Sequence, residues 1–408
     1  MKNSDLNLSV PEKMVALGES RSVIRDLFEY ANTRKAEIGA DKVFDFSLGN
    51  PSVPSPAKVN ETLIRLISDT DSTLLHGYTS SAGCIEARRA IAAYENRRAA
   101  SYGMTVSAEN VYITCGAAAS LTISLTALIC PGDKIALLAP FFPEYKVFAE
   151  KAGAEVVVIP PTDESMLPDF DALECAARSG IKALIINSPN NPSGAVYSRA
   201  VIEKIAGILR AAEKERGETI FLISDEPYRE LVYGDAEPPF VPALYENTLI
   251  CYSYSKSLSL PGERIGYILV SPDIQNGAAT KIFAAVCGAG RALGYVCAPS
   301  LFQRMVAECA EEKPDICAYD KNRRIIYNEL TRLGFVCTPP DGAFYLFIKS
   351  PVPDAREFCE AAKRLEIMLV PSDSFGIGGY ARLAYCVSEQ TIRSSLPAFA
   401  ALAKLYFN

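Results

Sequence analysis

Between residues 111 and 270 the chain alternates short β-branched, apolar runs with longer stretches in which apolar residues recur every three or four positions. A strand-sized run followed repeatedly by a helix-sized one admits few folds, because the strands then lie mostly parallel and carry helices on their faces. The runs at 111–114, 134–138, 155–159, 183–187, 220–224, 248–252 and 266–270 predict seven strands; 118–129, 145–152, 169–177 and 198–215 predict helices between them. A proline-rich stretch at 51–56 sets this body apart from the N-terminal residues, and beyond Pro299 the pattern becomes a helix, two apolar strands near 342–348 and 381–385, and a last helix. The expected class is α/β. A large domain (56–298) holds a mostly parallel seven-stranded sheet covered by helices, and a smaller α+β domain is built from both chain ends (1–55 and 299–408).

Composition narrows the chemistry. Of 408 residues, 49% are hydrophobic and 22% charged, enough to bury a large core, and a net charge of -7 argues against nucleic acid as a partner. The one histidine, His76, excludes a multi-histidine metal site, so no metal is expected; it reads as a helix-end or packing residue. Twelve cysteines without a C-x-x-C pair read as reduced, buried thiols. The first ten residues lack the apolar core of a secretory signal, and no run reaches the roughly 18 to 20 apolar residues of a membrane span. A soluble, cytoplasmic protein without a membrane partner is expected.

In an open parallel sheet, ligands bind beyond the carboxyl ends of the strands. One strand runs into Asp225-Glu226-Pro227-Tyr228, a second into Asn187-Ser188-Pro189-Asn190-Asn191-Pro192, and a third into Ser253-Tyr254-Ser255-Lys256. A fourth ends in Cys115-Gly116-Ala117-Ala118, small residues that open a helix. Lys256, set among serines, suits an amine nucleophile toward a carbonyl if its surroundings are partly dry; a solvated surface lysine is the ordinary alternative. Arg264 and the helix start each suit a phosphate, although small residues at a helix start often serve packing. Asp225 needs a cationic or proton-bearing partner at the end of an apolar strand, or else it caps a helix. A pyridinium N–H is such a partner, and an Asp beside a pyridine nitrogen with a Lys Schiff base is the arrangement that runs pyridoxal phosphate as an electron sink.

These residues resemble the aspartate aminotransferase family, the class I aminotransferases of the large pyridoxal phosphate fold. The likeness runs from Ser47-Leu48-Gly49-Asn50-Pro51 to Arg382, and its strongest parts are Asn190 to Gly194, Ser224 to Tyr228, and Ser253 to Lys256 with Arg264. The resemblance implies an enzyme that uses pyridoxal 5′-phosphate to move an amino group from an L-amino acid, with aspartate one candidate, to a 2-oxo acid such as 2-oxoglutarate. Lys256 would hold the cofactor as a Schiff base and shift the α-proton, and Asp225 would keep the pyridine nitrogen protonated. Tyr228 and Asn191 would bond the ring's phenolic oxygen. Ala117 and Ala118, through their backbone N–H groups, would hold the phosphate with Ser253 and Arg264, and Phe142 would stack on the ring. Arg382 would clamp the substrate α-carboxylate, with Gly49 and Asn191 lining the same subsite. Tyr78 matches a tyrosine that reaches the neighbouring subunit's phosphate, which implies a homodimer with shared active sites.

The departures bear on specificity. Phe142 stands where the aspartate enzymes carry Trp, and alanines replace the helix-start side chains of many relatives. A dicarboxylate needs a second cation, for which Arg21 and Arg291 are candidates, each equally readable as a surface arginine. Gly288 and Gly290 resemble a dinucleotide loop only loosely. The alternative on the same cofactor is a carbon–sulfur β-lyase, which would release pyruvate and ammonia without an acceptor. A cofactor-sensing regulator would carry an appended DNA-binding domain, for which the N-terminal segment is too short.

Overall fold

The structure, a computed structural model, describes residues 10–19 and 23–407. A short first strand, β1 (Phe44–Asp45), precedes the seven expected from the sequence: β2 (Val111–Thr114), β3 (Lys134–Leu138), β4 (Glu155–Ile159), β5 (Ile181–Asn187), β6 (Phe221–Asp225), β7 (Thr248–Ser253) and β8 (Gly266–Val270). These seven form one sheet in the order β2-β8-β7-β6-β5-β3-β4. β8 runs antiparallel to both its neighbours, and every other pair is parallel. Every residue of β6, β7 and β8 is buried, as expected for strands covered on both faces, whereas the edge strand β4 is buried only at Ile159. Register sets Asn187 beside Asp225, and Asp225 beside Cys251, so the carboxyl ends of three strands lie level.

The helices fall within one residue of their expected bounds, and their caps account for the offset. Asp169 accepts from the backbone N–H groups of Asp171 and Ala172, and Ser198 from that of Val201, so each residue expected to begin a helix instead caps one, over Phe170–Arg178 and Arg199–Arg216. Gly288 and Gly290 lie inside the helix Ala279–Ala292 and form no loop after a strand, which removes the dinucleotide reading. His76 ends the short helix Ser72–His76 and is exposed.

Five further strands follow: β9 (Cys337–Thr338), β10 (Tyr345–Lys349), β11 (Ile367–Met368), β12 (Val370–Pro371) and β13 (Tyr380–Ala384). Four of them make an antiparallel sheet in the order β12-β13-β10-β9, while β11 pairs in parallel with β1. The apolar cluster beneath joins Phe46 to Phe344, Ile367, Leu383 and Phe399, residues from both chain ends. Met305, Val306 and Cys309, on the helix Ser300–Cys309, pack instead with Val111, Ile113 and Ile250 of the large sheet. All twelve cysteines are free; Cys84, Cys251, Cys309, Cys359 and Cys386 are buried, whereas Cys130, Cys175 and Cys317 are exposed rather than buried as expected. Among the described residues, no helix is long and apolar enough to cross a membrane.

Candidate active site

The cofactor, catalytic and α-carboxylate residues singled out in the sequence, Tyr78 excepted, all line one cavity of about 490 Å³ at the carboxyl ends of β5, β6 and β7. Size does not distinguish it, since grooves of 510 and 480 Å³ open beside Tyr233 and another of 490 Å³ beside Tyr94. What distinguishes it is buried charge without buried counter-charge.

Asp225 ends β6 and is 5% exposed. Asn187 Nδ2 donates to its main-chain oxygen at 2.9 Å, the Tyr145 hydroxyl donates to Oδ2, and Oδ1 has no partner. Burial pushes this carboxyl up to about 7, against which the Tyr145 bond works only in part. Asn187 also accepts from the Asn191 backbone N–H at 2.7 Å, which ties the loop after β5 to the end of β6.

Lys256 follows β7 in a short helical turn, Tyr254–Ser257. Its Nζ donates to the Gly49 carbonyl at 2.6 Å and lies 5.3 Å from the Phe344 ring centre. Burial first, then the guanidiniums of Arg382 and Arg264, lowers it to about 8, and no carboxylate pairs with it among the described residues. Within reach of neutrality, such an amine can exchange a proton near neutral pH. Gly49 admits no side chain, since a Cβ there would collide with the Tyr345 hydroxyl. That hydroxyl in turn lies 2.9 Å from the Tyr228 hydroxyl.

Arg382, on β13, is 2% exposed. It donates to Asn191 Oδ1 at 3.0 Å and to the Ser47 carbonyl at 2.5 Å, stands 4.8 Å from the Tyr345 ring centre, and leaves Nε unpartnered. Burial holds its pKa below the usual guanidinium range. At the cavity's other end, Gly116 precedes the helix Ala117–Leu128 with φ +84° and no side-chain cap, so the first-turn N–H groups are offered outward. A Cβ at Gly116 would stand 3.0 Å from Arg264, which shows how closely that guanidinium sits over the helix start. Ser253 caps the Lys256 turn through its Oγ, 3.2 Å from the Ser255 backbone nitrogen.

The structure separates the remaining candidates. Tyr78 is 99% exposed and outside the cavity. Arg21 lies outside the described residues, and Arg291, exposed in the last turn of Ala279–Ala292, does not line the cavity of its own chain. Arg25 does line it, as do Tyr145 and Tyr345, none of which the sequence singled out, together with Asn187 and Ser255, which the sequence placed at strand ends without a binding role. Tyr145 follows the stacking candidate Phe142 by three residues, the only sequence signal that could have flagged it.

An acid at a strand end, an amine, a buried arginine and an uncapped helix start thus face one cavity, a donor set with the chemistry to receive an anionic, proton-bearing ligand. The chain belongs to the class I and II aminotransferase family, whose model matches residues 41–399. Enzymes of this family use pyridoxal phosphate, and the donor set fits it: Asp225 Oδ1 lacks the partner a pyridinium N–H would supply, and the helix start with Arg264 suits a phosphate. The chain is an aminotransferase. It is 30% identical over 385 residues to an aspartate aminotransferase of Pyrococcus horikoshii, covering 91% of this chain and 92% of that one. An aspartate/prephenate aminotransferase of Thermus thermophilus is 30% identical over 360 residues, 86% of this chain and 89% of its own. The crystal structure of an amino transferase from Eubacterium rectale superposes with a TM-score of 0.94 at 50% identity, covering 98% of this chain and all of that one. The lyase alternative is not favoured by this company.

Proposed function

We propose that this chain binds pyridoxal 5′-phosphate in the Lys256 cavity and transfers the amino group of an acidic L-amino acid, aspartate first, to a 2-oxo acid such as 2-oxoglutarate. The observation that carries this reading is the convergence of Asp225, Lys256 and Arg382 on one cavity, with Asp225 Oδ1 and Arg382 Nε buried and unpartnered and none of the three paired to an opposite charge among the described residues. When bound, the cofactor supplies an electron sink for charge developing at the amino acid's α-carbon. The chain's own residues do the rest. Asp225 holds a proton at the ring nitrogen. The first-turn N–H groups of Ala117 and Ala118, with Ser253 and Arg264, hold the phosphate, and Phe142 walls one face. Tyr228 and Asn191 orient the ring oxygen. Arg382 takes the α-carboxylate of amino acid and oxo acid alike, and Lys256 accepts and returns the α-proton at Nζ.

Aspartate is favoured because relatives along nearly the whole chain carry that name, and because Arg25 brings a second cation to the lining. Tyr78 supports a homodimer: a tyrosine 99% exposed beside the helix Ser72–His76, with Leu74 at 58%, is a surface suited to reach a second copy. The free cysteines suit a reducing compartment such as the cytoplasm.

The test is spectroscopic. Purified protein loaded with pyridoxal phosphate is to lose its visible cofactor band on addition of aspartate or glutamate alone and to regain it with 2-oxoglutarate; Lys256→Ala is to bind the cofactor and do neither. A band that persists while pyruvate accumulates would move the reading to a lyase. Near-normal amino transfer by Lys256→Ala would end it.

A further inference from the structure

Asp225 is fixed at two points, its main-chain oxygen and its Oδ2. Asn187 holds its main chain, but a carboxylate can still turn about its own bonds. Tyr145 prevents this. It lies in the first turn of the helix Glu144–Lys151, is 2% exposed, and donates its hydroxyl to Oδ2. Burial and the neighbouring Asp225 raise its own pKa well above the ordinary phenol value, so it acts toward the carboxylate only as a donor. Its ring meets Phe142 edge to face, with centroids 5.8 Å apart and planes at 81°, and its backbone N–H donates to the Phe142 carbonyl at 3.0 Å. Phe142 is thereby held by the same residue that holds the acid.

We infer that Tyr145 is a positioning residue: its hydroxyl occupies Asp225 Oδ2 so that Oδ1 alone is left for the cofactor's ring nitrogen, and its ring sets the plane of Phe142. The inference rests on the proposed use of pyridoxal phosphate. Its chemical content is a proton balance. A carboxylate that accepts the Tyr145 hydroxyl is a weaker base than one that does not, so the proton shared with the ring nitrogen stays on nitrogen. Without the hydroxyl, the carboxyl becomes the better base and draws that proton toward itself. The ring then withdraws fewer electrons from the substrate α-carbon.

The experiment compares wild type with Tyr145→Phe, which keeps the ring and its contact with Phe142 and removes only the donor. Both are loaded with pyridoxal phosphate carrying 15N in the ring, and the ring-nitrogen chemical shift is followed across pH alongside single-turnover kinetics with aspartate. The expected result is a shift displaced from the pyridinium toward the neutral-pyridine value in Tyr145→Phe, with kcat down about 10- to 100-fold and KM within about twofold, as for loss of one bond to a charged group. An unchanged nitrogen shift and kcat would overturn the inference while leaving the proposed function standing. A wild type that yields no pyridinium signal and no amino transfer would overturn the function and Tyr145's role with it.

Discussion

Two arginines are buried almost equally, Arg229 at 5% and Arg382 at 2% exposed, and their surroundings could hardly differ more. Arg229 donates to Glu95, Glu226, Glu230 and the Tyr267 hydroxyl, and its guanidinium lies 3.9 Å from the Tyr252 ring centre. Burial opposes its charge, yet these partners hold its pKa well above the ordinary value. Arg382 has an amide oxygen, a main-chain carbonyl and an orphaned Nε, and its pKa falls. The first is a strut whose charge is met from within the fold. The second has no charge among the described residues to answer it, which is what the proposed carboxylate site requires. A buried cation is thus read by what answers it, not by its depth.

The comparison breaks most visibly in stability. Arg229→Met leaves Glu230 without a cation and the buried Glu95 and Glu226 with Arg98 alone among the described residues, and is expected to cost about 3–5 kcal/mol, read as a lowered urea midpoint. Arg382→Met removes an unanswered charge and is expected to leave that midpoint unchanged or raised. A comparable loss in both variants would collapse the distinction.

Buried carboxylates sharpen the same contrast through pH. Asp225 has a folded value of about 7 against an ordinary 3.8, so its contribution is complete below pH 4 and lost as pH rises toward 7. The cofactor-free protein is therefore expected to weaken by on the order of 2–3 kcal/mol between pH 5 and 7.5, and Asp225→Asn to flatten that slope. Glu95 behaves oppositely: burial alone would raise it, but Arg229 and Arg98 carry it below its ordinary value, so its contribution is lost as pH falls. Denaturant titrations at several pH values separate the two signs.

Smaller effects concern ligands. Arg382→Met is expected to raise KM for the amino acid and the oxo acid about 10- to 150-fold, with cofactor affinity little changed. Equal loss of both would make Arg382 structural. Arg25 is exposed, and Arg25→Ala is expected to raise KM for aspartate only about two- to fivefold and to leave alanine unaffected. No difference between the two amino acids would remove Arg25 from the specificity pocket.

Which of these residues could be foreseen follows from the kind of signal each leaves in the chain. Asp225 ends an apolar run, and Lys256 and Asn191 stand three and four residues beyond one, so their shared position at one sheet edge follows from periodicity and from the rule that ligands meet the carboxyl ends of strands. Strands β6 to β8 were legible because both faces are buried, whereas β1, β9, β11 and β12, of two residues each, are too short to carry a period. Tyr145 and Arg25 reach the cavity from helices whose rotation is fixed only by tertiary packing, so nothing local to them announces it. Arg229 reads in the sequence as one more charge after the Asp-Glu-Pro-Tyr run. Its partners arrive from as far away as Glu95, 134 residues back.

The stretch that follows β1 holds two cations of the site by main-chain oxygen, Arg382 by Ser47 and Lys256 by Gly49. Between those anchors stands Leu48, 40% exposed and part of the cavity lining. Any amino acid supplies a carbonyl, so the anchors on either side persist through changes at position 48, whereas position 49 tolerates nothing beyond hydrogen. For anyone wishing to re-aim this catalyst at other amino acids, Leu48 is a dial that turns without loosening the machinery, and a library randomised there should yield altered preferences without dead variants.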